Sequence, residues 1–171
     1  MKTIPLAEAV KLKSILTKKI SELIKEIHLV SNAVVEKGKD PKPSGRKLTE
    51  VEAELAQVRK DSRTLDKLIY RANIDYTLTF KDEELAIVEA IELASQLRAE
   101  ASLCKDLGMA EKETLYHSTG DSVIFYKMAM YDPAEYRHRA NELEKEAHRL
   151  SNLINAKNYQ VQVEFDDSRY F

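Results

Sequence analysis

Residues 133–156, PAEYRHRANELEKEAHRLSNLINA, decide how the chain folds. Apolar residues fall at Tyr136, Ala140, Leu143, Ala147, Leu150 and Ile154, in steps of 4, 3, 4, 3 and 4. A helix turns once per 3.6 residues, so this set forms one narrow stripe on one face. The start is equally legible. Asp132 stands at the N-cap, Pro133 at the first helical position, and Glu135 three residues after the cap, where a carboxylate meets free backbone N–H groups. Leu143 lies mid-stripe, and Leu143→Asp is expected to destabilise severely by burying an unpaired charge.

The same period recurs three times. A first helix is expected from about Pro5 to Glu36, with Ala9, Leu16, Leu23 and Val30 in one row and Ile20, Ile27 and Val34 in a second. Both rows step by seven, which is the seam of a coiled coil. Leu12, Ile15 and Ile24 widen the stripe and imply more than one neighbouring helix. At about 1.5 Å per residue this helix would be on the order of 45–50 Å long, about one turn longer than its neighbours. A second helix, about 48–72, carries Leu48, Leu55, Ser62 and Ile69 beside Val51, Val58, Leu65 and Ala72. Ser62 is the polar residue in that seam; it either fixes register or bonds its own helix. A third helix, about 80–107, starts with Thr79 as N-cap and Asp82 in its first turn. It places Ala86, Ala90, Leu93, Leu97, Ala101 and Cys104 on one face and ends at Gly108.

The connections read differently. GKDPKPSGRKL, 38–48, holds two glycines and two prolines and is a surface turn between antiparallel helices. NIDYTLTF (73–80), SVIFYKMAM (122–130) and YQVQVEF (159–165) are strands by alternation or by β-branched and aromatic content. The last should pair with 122–130, and 74–80 could add a third strand. Residues 108–121 read as an irregular connection, and the last six as a frayed end. The expected fold is therefore mainly α: an antiparallel bundle of four long amphipathic helices with a small antiparallel sheet, one domain over 1–171.

Bulk properties set limits. A third of the 171 residues is charged, with four glycines and four prolines, as in a soluble helical protein. A net charge of −2 provides no global basic field for nucleic acid or anionic membrane. The lone Cys104 cannot form an internal disulfide and suits a reducing compartment. The first 27 residues are charged every few positions, unlike a signal peptide, and no run reaches a transmembrane span of roughly 18–20 apolar residues. Cytoplasmic location is expected.

The order of these parts resembles the septicolysin-like family of small bacterial proteins. The resemblance is carried by LAEAVKLKSILTKKISEL (6–23), VVEKGKDP (34–41), IYRAN (69–73), TLTFKDEELA (77–86) and the tail from Ser122 through Phe165. This chain departs from such members in a longer 105–121 connection and in more tyrosines. The resemblance implies a helical fold and, through the family name, cytolysin-like membrane activity; it supplies no catalytic residues.

Several chemistries find no support. Four scattered glycines cannot build a Walker loop, a dinucleotide fingerprint or a nucleophile elbow. One cysteine cannot supply paired zinc ligands. A di-iron bundle needs Glu-x-x-His on two helices, and only Glu135-x-x-His138 fits. The pairs Glu113/His117, His138/Glu142 and Glu144/His148 have metal-binding spacing but read as solvated ion pairs. Arg137, Arg139 and Arg149 could meet phosphate, yet Glu135, Glu142, Glu144 and Glu146 balance them. No catalytic, cofactor-binding or metal residue is assigned, and no cofactor is implied.

Three functions stay open. The first is a non-enzymatic structural or interaction protein, a homo-oligomer or a partner of another protein, associating through helices or sheet edges. The second is membrane activity, implied by the resemblance. The third is an enzyme or ligand-binding site within 108–131, where Tyr116, His117, Ser118, Asp121 and Tyr126 concentrate polar chemistry.

Overall fold

The computed structural model describes residues 2–42, 45–116 and 123–170. Among them the chain runs β1 (Thr3–Pro5), α1 (Leu6–Val30), α2 (Leu48–Asp75), β2 (Thr77–Phe80), β3 (Glu83–Ala86), α3 (Ile87–Gly108), β4 (Glu113–Tyr116), β5 (Phe125–Met128), α4 (Pro133–Gln160) and β6 (Gln162–Glu164). Four helices and small antiparallel two-stranded sheets make the protein mainly α, as the periodicities imply. The chain divides into two compact units, Met1–Tyr76 with Lys157–Phe171, and Thr77–Ala156.

In the first unit α1 and α2 run antiparallel. Lys13 Nζ meets Asp66 at 2.6 Å, Lys19 meets Glu54 at 3.1 Å, and Arg46 meets Glu26 at 3.5 Å. Leu12, Leu16 and Leu23 of α1 and Val51, Leu55, Val58 and Leu65 of α2 are buried, as the sequence stripes require. Ser62 is half-buried within the α2 stripe. α1 stops at Val30, six residues short of the expected end, and Val34 stands fully exposed. Ser31 caps the helix, and its hydroxyl donates to the His28 carbonyl at 3.2 Å. Such a local side-chain bond gives the backbone an alternative to another turn. At 25 residues α1 is shorter than α2 and α4, at 28 each, so it has no excess length over its partners.

α2 continues to Asp75 and absorbs the first residues of the expected 73–80 strand. Arg71 holds Asp75 across one turn at 3.1 Å, and Ile74 faces solvent. The strand near 159–165 begins later, at Gln162, because α4 runs to Gln160. From Val161 the alternation is as read, with Val161, Val163 and Phe165 buried and Gln162 and Glu164 exposed, whereas Tyr159, expected on the buried face, lies in α4 and is exposed. Its partner is β1, with Ile4 opposite Val163, and not residues 122–130. The final residues are tied down where fraying was expected. Lys2 pairs with buried Asp167, and the Tyr170 hydroxyl donates to Asp61 of α2 at 2.6 Å.

In the second unit, TLTF and EELA form a hairpin, β2–β3, joined by Lys81 and Asp82. Both turn residues have positive φ, 50° and 64°, the signature of the type I′ turn that matches strand twist. Thr79 is therefore mid-strand and caps nothing, and the expected start of the third helix moves from 80 to 87. There the Ala86 N–H donates to the Glu89 carboxylate at 2.8 Å, meeting one of the free donors of α3.

α3 and α4 pack antiparallel, held by Lys105 with Glu144, Arg139 with Glu100 and Arg98 with Ser151. Several of their buried residues are small, Ala90, Ala94, Ala101 and Cys104 on α3 and Ala140 and Ala147 on α4, beside the larger Ile87, Leu150 and Ile154. Small side chains permit the two backbones to approach closely. Leu143 is only half-buried, so the deepest point of the α4 stripe is Leu150. Asp132 caps α4 as expected, accepting the Ala134 N–H at 2.9 Å.

Candidate functional site

Residues 108–131 carry the least ordinary surface of the described chain. Its described part is not irregular: β4 and β5 form an antiparallel hairpin with Glu113 opposite Met128, Thr114 opposite Lys127, Leu115 opposite Tyr126 and Tyr116 opposite Phe125. The Ala129 N–H donates to the Lys112 carbonyl at 3.0 Å and extends the ladder by one step. Aromatic and apolar residues at alternating positions form such a strand pair readily.

Opposed residues share a face. One face holds Glu113, Leu115, Tyr126 and Met128; the other holds Thr114, Tyr116, Phe125 and Lys127. Neither face is covered. Leu115 is 65% exposed, Tyr116 62%, Phe125 59%, Tyr126 53% and Met128 59%. Val123, Ile124 and Met130 beside the strands, and Met109 at the end of α3, are also exposed. Among the described residues no third strand pairs with either edge. A free two-stranded hairpin is marginally stable alone, and exposed apolar clusters of this size mark binding surfaces.

The base of the hairpin is fixed. The Tyr131 hydroxyl donates to the Leu107 carbonyl at 2.9 Å, and its ring meets Tyr136 edge-on at 5.0 Å. Arg137 donates to the Gly108 carbonyl at 2.5 Å. Gly108 is the last residue of α3, buried, and lies so near α4 that a Cβ would sit 2.6 Å from the Arg137 Cγ and 3.1 Å from its backbone nitrogen. It ends α3 as expected from sequence, and its missing side chain also allows the close approach of α4. A groove of about 420 Å³ opens at this base, lined by Glu111, Thr114, Lys127, Met128, Met130 and Tyr131 among others.

The polar residues singled out in this region do not converge. Tyr116 and Tyr126 occupy opposite faces of the hairpin, and neither lines the groove. His117, Ser118 and Asp121 lie outside the described residues. Elsewhere, Glu135, His138 and His148 are exposed. Glu142 pairs with Lys145 and Glu144 with Lys105, so neither is held by the histidine four residues away. Arg137 and Arg139 are occupied by the Gly108 carbonyl and Glu100, while Arg149 is exposed. No three His, Cys, Asp or Glu side chains converge among the described residues. Cys104 is a buried small hydrophobe.

Several groups of the first unit titrate away from their ordinary values, Glu54 and Tyr170 among them. The Arg46 hydrogen bond, then Lys19, holds the Glu54 carboxyl below its ordinary range. Burial, then the bond to Asp61, pushes the Tyr170 hydroxyl well above its ordinary value. The Arg46–Glu54 bond also raises the Arg46 pKa, and the Glu54 charge adds to the rise at Tyr170.

This is therefore a mainly α protein with an apolar β-hairpin between α3 and α4, tied at its base by Tyr131 and Arg137. The profile of a family of unknown function (DUF6847) matches residues 13–163, and the chain belongs to that family. No curated protein matches it. The fold is similar to that of a conserved, functionally unknown protein from Corynebacterium diphtheriae, known from a crystal structure, with a TM-score of 0.65 at 20% identity. The match covers 95% of this chain and all of the other, and at that identity it speaks to fold alone.

Proposed function

We propose that the protein is a non-enzymatic structural or interaction protein that self-associates. The observation that carries this reading is the β4–β5 hairpin, with five large apolar side chains more than half exposed over two faces and, among the described residues, no third strand on either edge. Burying such surface is the main driving force of association, and the fixed base spares the assembly the cost of ordering a loop. The length of α1 lends no support, since α1 does not outreach its partners. Sheet and hairpin surface takes that place.

Membrane activity, implied by the septicolysin-like resemblance, is the weaker reading. No helix among the described residues is long and apolar enough to cross a bilayer. Among the described residues the hairpin strands have four residues each, against about 9–11 for a spanning strand. Light scattering of size-fractionated protein over a hundredfold concentration range tests the proposal. A mass that rises from one chain to a defined multiple supports it; a single-chain mass throughout refutes it.

A further inference from the structure

The ladder register sorts the hairpin into two unequal faces. Leu115, Tyr126 and Met128 stand together, with Glu113 bringing the one charge of the quartet, at the base end of the ladder. The opposite face carries Lys127 in β5 beside Thr114, with Tyr116 and Phe125 next to them. Covering that second face would strip water from a lysine or force it aside, a cost that a partner lacking an anion there does not return. The first face can close against an apolar surface with its single carboxylate left at the rim.

We propose, building on the self-association reading, that the Leu115–Tyr126–Met128 face packs against the same face of a second copy about a two-fold axis. Two sheets so stacked lie roughly 10 Å apart, with side chains interleaved. An isologous interface suits a face that is apolar at its centre, because like meets like. The area agrees with this occupant. With Met130 at the rim, which is 94% exposed, the face presents roughly 600 Å² per copy by typical side-chain areas. Reciprocal burial of about 1,200 Å² is the low end for a specific interface. The dimer should accordingly dissociate in the micromolar range.

The test is sedimentation equilibrium of the full chain and three variants, each at an exposed position, with thermal melts confirming that each folds. Because the axis repeats every substitution, Leu115→Lys and Met128→Lys should each raise the dissociation constant at least about 100-fold. Phe125→Lys, on the other face, should change it less than about threefold. If Phe125→Lys matches or exceeds the other two, the assigned face is wrong while self-association stands. If the wild-type chain is monomeric at 100 µM protein (about a hundred times the micromolar scale), both this inference and the reading beneath it fail. Cosedimentation of a monomeric chain with phosphatidylcholine–phosphatidylglycerol vesicles, lost in Leu115→Lys, would place lipid on the face instead and also overturn the dimer.

Discussion

Gly108→Ala is the sharpest probe of how the hairpin base is built, because two effects of opposite sign meet at one carbon. Alanine is the better helix former, by up to about 1 kcal/mol, and Gly108 has no positive φ that would penalise a side chain. In an open helix the substitution would stabilise. Here the new Cβ lands 2.6 Å from the Arg137 Cγ, 3.1 Å from its nitrogen and 3.3 Å from its Cα. The side-chain atom can swing away, but only by giving up the 2.5 Å bond from Arg137 to the Gly108 carbonyl, a charge-assisted bond worth about 1.5–3 kcal/mol. The two backbone atoms cannot swing, so the first turn of α4 must shift. Overpacking of this kind costs about 1–3 kcal/mol. The expected net is a loss of about 2 kcal/mol, or a fall in melting temperature of roughly 4–8 °C for a chain of this size. Urea denaturation with a constant slope measures it. A gain in stability would show that α3 and α4 do not approach closely at this point.

Other expectations follow from single features. Leu150→Asp, at a site with no exposure, should prevent folding or cost more than about 4 kcal/mol, whereas Leu143→Asp at its half-buried site should cost clearly less; equal melting temperatures would contradict the depth assigned to each. Replacing Lys81-Asp82 with Asn-Gly supplies the residues that the positive φ values favour, and should stabilise by about 1 kcal/mol; destabilisation in a denaturant titration would argue against the turn. The Tyr170 hydroxyl titrates above its ordinary value because burial and Asp61 favour the neutral form. Its contribution is therefore full below pH ~10 and is lost as pH rises beyond it. Tyr170→Phe should be less stable at neutral pH by about 1 kcal/mol and show a weaker alkaline decline; identical pH–stability curves would refute the tail anchor.

Helices were legible from sequence because their burial stripes repeat over many residues. The α2 rows from Val51 to Ala72 and the α4 row from Ala140 to Ile154 are buried or half-buried at every expected position. Ends and pairings were not, because each depends on one local interaction that periodicity does not record. The Ser31 cap shortened α1, and the Arg71–Asp75 pair accompanies the added turn of α2. The Lys81-Asp82 turn was hidden because neither residue is the glycine or asparagine that usually announces positive φ. Residues 122–130 read as a strand, but their partner ETLY has a single alternation, too short to stand out before the Ser-Thr-Gly-Asp stretch at 118–121. The anchoring of Tyr170 on Asp61 joins positions 109 residues apart, which no local pattern reveals. At the candidate site the sequence concentrated attention on polar groups, whereas the structure leaves Tyr116 and Tyr126 apart and sets apolar surface in the open.

Amide hydrogen exchange at two protein concentrations tests the central claim most directly. A four-residue two-stranded ladder exchanges quickly when it stands alone. If the hairpin is the association surface, amides of 113–116 and 125–128 should gain protection at least about tenfold between low- and high-micromolar protein, while the buried turns of α2 and α4 stay as they were. Hairpin exchange that is identical at both concentrations, or protection that grows on another element, would contradict the account.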